Sequence, residues 1–211
     1  MSSVSKYFTF RDLRPLARFP RRPGTRPRTN PVVATTWAAY RRRMAEWEIG
    51  VGGPADLDAL EPLWVAVHHR HVESMPELAP YVTDAETWRV RRTLYARVLA
   101  DPDTLLLLAS SGNELIGYGL AHVMAVEDSW IPDTWVTGPR IGEIESLSVS
   151  PDFRGSGLGS ELLRRLEEHL GAVGAADIVL GALAGNDDAL RLYERRGYRP
   201  TWLYLSKFAG R

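Results

Sequence analysis

The sequence predicts a mixed α/β domain, a central sheet flanked by helices, and three observations carry the prediction. Between Ile141 and Val173 an alternating apolar stretch meets a Ser150-Pro151 stop, then a glycine-rich turn, then aliphatic residues at three- and four-residue spacing. A second strand-then-helix unit, Asp177 to Gly197, follows at once. Upstream, two helical stretches precede a hairpin of strand-like segments.

Taken in order, the chain opens with a segment unlike the rest. Residues 1–43 hold ten Arg and one Lys against the single Asp12, with Pro15, Pro20, Pro23, Pro27 and Pro31 interspersed, so they carry +10. The chain is neutral overall, so residues 44–211 carry −10. The tail has too few apolar residues to offset the entropy of ordering it, and the expectation is a disordered extension, residues 1–43, ahead of a domain at 44–211. An upstream extension without a role, a nucleic-acid arm, an anionic-membrane tail and a transit peptide all fit such a composition. The first of these is preferred, because arginine-rich tracts match targeting signals too easily.

Within the domain, Trp47 to Val51 reads as a strand. Pro54 opens a helix whose Leu57, Leu60, Leu63, Trp64 and Val67 share a face, and a second helix spans about 85–99 with Asp84 as N-cap. Thr104 to Ser110 and Leu115 to Val126 form a hairpin across the turn at 111–114. Residues 127–138, with Trp130 and Trp135 among three acids, would suit a wall around a cationic group or simply pack over the sheet. Ile144 to Val149 is the central strand, and Leu162, Leu163, Leu166, Leu170 and Val173 mark the apolar face of the following helix. Asp177 starts a parallel strand, Asn186 caps a helix ending at Gly197, and Tyr198 to Phe208 is expected as a final strand.

The residues that carry chemistry lie between 141 and 198. A helix opening bare, with Gly155, Gly157 and Gly159 before and in its first turn, leaves unpaired N–H groups facing outward without side chains to obstruct them. Such a turn cradles an anion, and Arg154 adds a positive charge at its rim. It is not a P-loop, which needs a Gly-Lys-Ser/Thr ending, and the order Arg-Gly-Ser-Gly-Leu-Gly sits too far along the chain for a dinucleotide fingerprint. His68, His69 and His71 invite a metal reading, but no separate carboxylate-and-histidine group is evident to complete a site, and no metal is expected. The chain has no cysteine, which excludes disulfides and thiol catalysis. No apolar run approaches membrane-spanning length.

The turn Arg154-x-x-Gly157-x-Gly159, together with Asn186, Ala189, Leu192, Tyr193 and Gly197-Tyr198 downstream, resembles the GNAT superfamily of acyl-CoA N-acyltransferases. The resemblance is clear over 141–208 and weaker over 46–126. It implies the GNAT fold, with two central parallel strands that splay to admit the pantetheine arm of acetyl-CoA, the acyl donor. It implies that Arg154, Gly155, Ser156, Gly157, Leu158 and Gly159 hold the pyrophosphate. Backbone groups at Leu147 and Val149 would pair with the pantetheine, and Asn186 would assist from the far side. Tyr193 would protonate the departing thiolate, or else pack its helix on the sheet. Glu145 matches the base that several relatives carry, and Glu143 has the same facing. The expected reaction is direct attack of a primary amine on the thioester. The expected acceptor is a small molecule or peptide, cationic in view of the acidic domain, with neither nucleic acid nor membrane as partner and a homodimer left open. The expected enzyme is cytoplasmic; the competing class is a non-catalytic acyl-CoA-binding regulatory module.

Overall fold

In the computed structural model the described residues are 46–208 except 130, 132 and 133. The expected disordered segment, 1–43, and Trp130 therefore lie outside the described residues. Five strands form one sheet in the order β1-β2-β3-β4-β5: β1 (Glu48–Gly52), β2 (Leu105–Ser111), β3 (Glu114–Ala125), β4 (Arg140–Val149) and β5 (Asp177–Leu180). The first three pairings are antiparallel and β4–β5 is parallel, so the sheet is mixed as expected. Four α-helices flank it: α1 (Glu61–Ser74), α2 (Asp84–Val98), α3 (Leu158–Ala172) and α4 (Asp187–Arg195).

The sheet separates two apolar layers. On one face Leu158, Leu162, Leu163, Leu166 and Leu170 of α3 pack on Leu107, Ala109, Ile116, Ala121 and Ile144, with Leu192 and Tyr193 of α4 at the margin. These leucines recur at helical spacing, so one stripe of α3 is buried and its Glu/Arg face stays in solvent. The helix lies close because the strands beneath it carry glycines. A Cβ at Gly119 would come within 2.8 Å of Leu166 Cδ1, and one at Gly142 within 2.7 Å of Leu170 Cδ1. On the other face Leu57, Leu60, Leu63, Trp64, Trp88 and Tyr95 cover Leu106, Tyr118 and Leu120.

Two features of β4 position the site. The first is a bulge: Leu120 opposes Ser146 while Ala121 opposes Ile144, so Glu145 has no partner across the ladder. The extra residue shifts the alternation. Glu145 reaches Arg91 of α2, Ser146 accepts the Tyr95 hydroxyl, and Ser148 Oγ donates to Leu63 O, so all three face α1 and α2. Leu147 and Val149 turn to the α3 side. The second is an incomplete parallel ladder. β5 pairs only with Ile141 to Ile144, whereas β3 accompanies β4 through to Val149. From Glu145 onward the β5 side of β4 is open, which is the splay expected of the central strands.

Three expectations about elements need correction. The helix expected from Pro54 is a 3-10 segment over Pro54–Leu60 that becomes α-helical only at Glu61, where Pro62 occupies the first turn. The N-cap of α2 is Thr83, whose hydroxyl accepts from Glu86 N, and Asp84 is the first helical residue. Tyr198 to Phe208 is not a strand: among the described residues it joins no ladder, and Leu203, Tyr204 and Leu205 are 77%, 86% and 95% exposed. Its aromatic and aliphatic composition favours a strand, but a strand forms only against a partner edge.

Candidate active site

The end of β4 leads through Pro151–Phe153 into the glycine turn. Gly155 and Gly157 both have positive φ, 73° and 92°, a region that disfavours side chains, and Gly157 is the N-cap of α3. A Cβ at Gly157 would meet nothing within 4 Å, so the turn faces open space. Gly159 is already helical and sits between Val149 and Leu192, whose methyls lie 3.7 and 3.8 Å from where its Cβ would be. The cradle thus touches the end of β4 on one side and α4 on the other. Arg154 folds back, its Nε donating to the Val149 carbonyl at 3.3 Å, and the Ser156 hydroxyl accepts from Leu158 N at 3.4 Å. The Leu158 side chain is fully buried, so only its backbone can serve a ligand.

On α4, Asn186 is the N-cap, its Oδ1 accepting from Ala189 N at 3.5 Å, which occupies the side-chain oxygen and leaves the amide NH2. Tyr193, two turns on, is half-buried and meets Tyr198 edge-on at 5.9 Å between ring centroids. Burial pushes its pKa up, so the hydroxyl keeps its proton at neutral pH.

The two candidate bases lie on the opposite face of β4, and the structure joins them to residues that the sequence did not single out. Glu143 faces His122 directly across the β3–β4 ladder, with His122 Nε2 3.2 Å from Glu143 Oε2 and 3.9 Å from Glu145 Oε2. Glu145 Oε1 receives the guanidinium of Arg91 from α2. That guanidinium stacks 4.0 Å from the centroid of Trp64, whose Nε1 is anchored on Thr87 Oγ1 at 3.0 Å. Beneath it the buried Tyr95 donates to Ser146, and burial pushes its pKa up to about 12. Glu145 is the less accessible carboxylate, at 13% against 32% for Glu143. Burial works against a charged His122 ring, but hydrogen bonding to Glu143 and Glu145 and their charges outweigh it, raising its pKa to about 9. Two carboxylates are thereby matched by two cations.

The α1 histidines disperse. His68 Nε2 meets Val82 O at 3.0 Å, His69 lies 3.0 Å from the Asp84 carboxylate, and His71 stands edge-on to Trp64. Elsewhere, His122, Glu143 and Glu145 place one ligand atom each within 4.8 Å of one another, a histidine–carboxylate group that the sequence did not single out. Arg91 already holds one oxygen of that set. The loop after β3 tucks Ile131 into the core and leaves Trp135 half-buried; the ring that packs on Arg91, beside Glu145, is Trp64 of α1.

A mixed sheet whose central strand loses its parallel partner halfway, followed by a glycine turn at a helix N-terminus, agrees with the acyltransferase fold that the sequence resemblance implied. Residues 64–198 match the model of the Acetyltransferase (GNAT) family, and the chain belongs to that family. Mycothiol acetyltransferase of Propionibacterium freudenreichii is 33% identical over 143 residues, 68% of this chain and 40% of that protein. The Corynebacterium glutamicum protein of the same name is 27% identical over 145 residues, 69% of this chain and 43% of that one. The chain therefore spans about two-fifths of the length of these curated relatives. Among solved structures, a putative acetyl transferase from Pyrococcus furiosus superposes with a TM-score of 0.59 at 24% identity, over 78% of this chain and 100% of that one. An aminoglycoside N-acetyltransferase in complex with CoA gives 0.56 at 13% identity, over 79% and 96%. Among the described residues no helix is long and apolar enough to cross a membrane.

Proposed function

We propose that the protein transfers an acetyl group from acetyl-CoA to a primary amine by direct attack. The observation that carries this reading is β4 itself, whose open half from Glu145 onward leads into the cradle of Gly155 and Gly157, while Glu145 and, in the paired half, Glu143 lie on its other face. The pyrophosphate would lie on the N–H groups at the start of α3, where the helix dipole favours negative charge. The pantetheine would add as a strand along Leu147 and Val149, displacing Arg154 from the Val149 carbonyl and freeing its charge for phosphate.

The thioester then lies at the gap between β4 and β5. A neutral amine attacks its carbonyl carbon, the C–S bond breaks, and the Tyr193 hydroxyl gives its proton to the sulfur. The proton lost by the amine goes to the carboxylates of β4. Glu143 is the favoured entry, being the more exposed and free of Arg91, and Glu145 supports it. Because Arg91 and His122 balance both carboxylates, the pair supplies proton transfer more than attraction for a cation. The names of the relatives make small-molecule amines the first acceptors to try. Incubation with acetyl-CoA and a panel of amino sugars, polyamines, amino acids and peptides, read as free thiol released, tests the reading. Acetyl-CoA that binds without amine-dependent thiol release would favour the non-catalytic module.

A further inference from the structure

Resting on that acyltransfer reading, we propose that His122 is the terminus of the proton relay: the acceptor's proton enters at Glu143 and comes to rest on His122 Nε2, with Glu145 and Arg91 fixing the ring's surroundings. The cluster is built from three separate elements. His122 comes from β3, Glu143 and the bulge residue Glu145 from β4, and Arg91 from α2. The ring nitrogen lies 3.2 Å from Glu143 Oε2 and 3.9 Å from Glu145 Oε2, so a proton on it is within hydrogen-bond reach of Glu143 and is also favoured by the nearby charge of Glu145. Exposure falls from Glu143 at 32% to His122 at 16%, which gives the relay an outer and an inner end.

The chemistry favours the ring over a carboxylate alone. A lysine-like ammonium has a pKa near 10.4 and an ordinary glutamate near 4.3, so transfer between them is uphill by roughly 6 units, or about 8 kcal/mol at 1.36 per unit. A ring raised to about 9 leaves a gap of only about 1.4 units. The step balances: the amine N–H bond breaks, an O–H forms on Glu143, and that proton passes to neutral His122 to give an imidazolium between two carboxylates. The charged or titratable groups about the cluster are Glu143 and Glu145 from β4, Arg91 and Tyr95 from α2, Tyr118 from β3 bonded to Tyr95, and His71 of α1 near Arg91. Arg91 restrains Glu145 so that its second oxygen stays toward the ring.

The test compares kcat/KM of the parent and of His122→Gln from pH 6.5 to 10 with one acceptor, so that the acceptor's own titration cancels in the ratio. A relay ending on His122 works only when the ring is neutral, so the ratio should reach about 10²-fold above pH 9 and shrink by about tenfold for each unit below it. Glu143→Gln, which closes the entrance, should reproduce the same pH-dependent ratio. Calorimetry should show unchanged acetyl-CoA affinity in both variants. A ratio still near one above pH 9, or one equally large at every pH, overturns the relay and leaves the acyltransfer reading standing. If the parent binds acetyl-CoA but no amine of the panel releases thiol, the acyltransfer reading fails and the relay with it.

Discussion

Glu145, the bulged residue of β4, holds Arg91 with one carboxylate oxygen and turns the other toward His122. Arg91 is clamped in turn between that carboxylate and the Trp64 ring. A half-buried carboxylate with such a partner is costly to orphan. Arg91→Ala should lower the unfolding free energy by about 1–3 kcal/mol, read from the denaturant midpoint at unchanged slope. Arg91→Lys keeps the charge but not the flat group over Trp64, and should recover only part of the loss. A Lys variant as stable as the parent would show that stacking on Trp64 contributes little.

Gly157 tests the cradle. Its φ of 92° and the open space beside it mean that a side chain there is strained by the backbone and projects where the pyrophosphate is proposed to lie. Gly157→Val should abolish measurable acetyl-CoA binding in calorimetry while the circular dichroism of the fold persists. Undiminished affinity in a folded variant would remove the cofactor from this turn.

Tyr193→Phe separates acid from packing. The ring keeps its contact with Tyr198, and only a hydroxyl that burial holds protonated is lost. If that hydroxyl protonates the thiolate, kcat should fall by roughly 10²-fold or more with acetyl-CoA affinity retained. A structural tyrosine would leave kcat close to the parent's value.

What the sequence made legible follows a physical line. The β4–turn–α3 unit could be read because its signals are local: alternation, a proline stop, glycines and a 3.6-residue stripe lie within thirty-odd consecutive positions, and the Asn186 cap and Tyr193 follow on one short helix. The shared facing of Glu143 and Glu145 followed from strand period, and both meet His122. His122 and Arg91 were not singled out, because they join the site only through ladder register and helix packing; Arg91 and Glu145 are 54 positions apart. A bulge leaves no mark in composition, so the shift that sends Ser146 to the α2 side and Leu147 to the α3 side could not be foreseen. The strand expected after Tyr198 was misread for the same reason: pairing depends on an edge that lies elsewhere in the chain.

The stability of the fold should report on His122 even without an acceptor. Its pKa is raised from 6.5 to about 9, so the folded state holds a proton that the unfolded chain releases at lower pH. That contribution is fully present below pH 6.5 and is lost as pH rises through about 9; the shift corresponds to something on the order of 3 kcal/mol. His71 acts in the other sense: burial, with His68 and Arg91 nearby, lowers its pKa, so its contribution is present above 6.5 and is lost as pH falls. Unfolding free energy measured by denaturant titration should therefore decline between pH 6.5 and 9.5 in the parent. In His122→Gln the curve over that window should be nearly flat and should start lower, because Glu143 and Glu145 lose their shared cation while Arg91 still holds only the latter. A double variant, His122→Gln with Glu143→Gln, should regain part of the stability at pH 6.5, since it removes the carboxylate left uncompensated. If the parent and His122→Gln decline alike across the window, the ring is not the group that carries the proton.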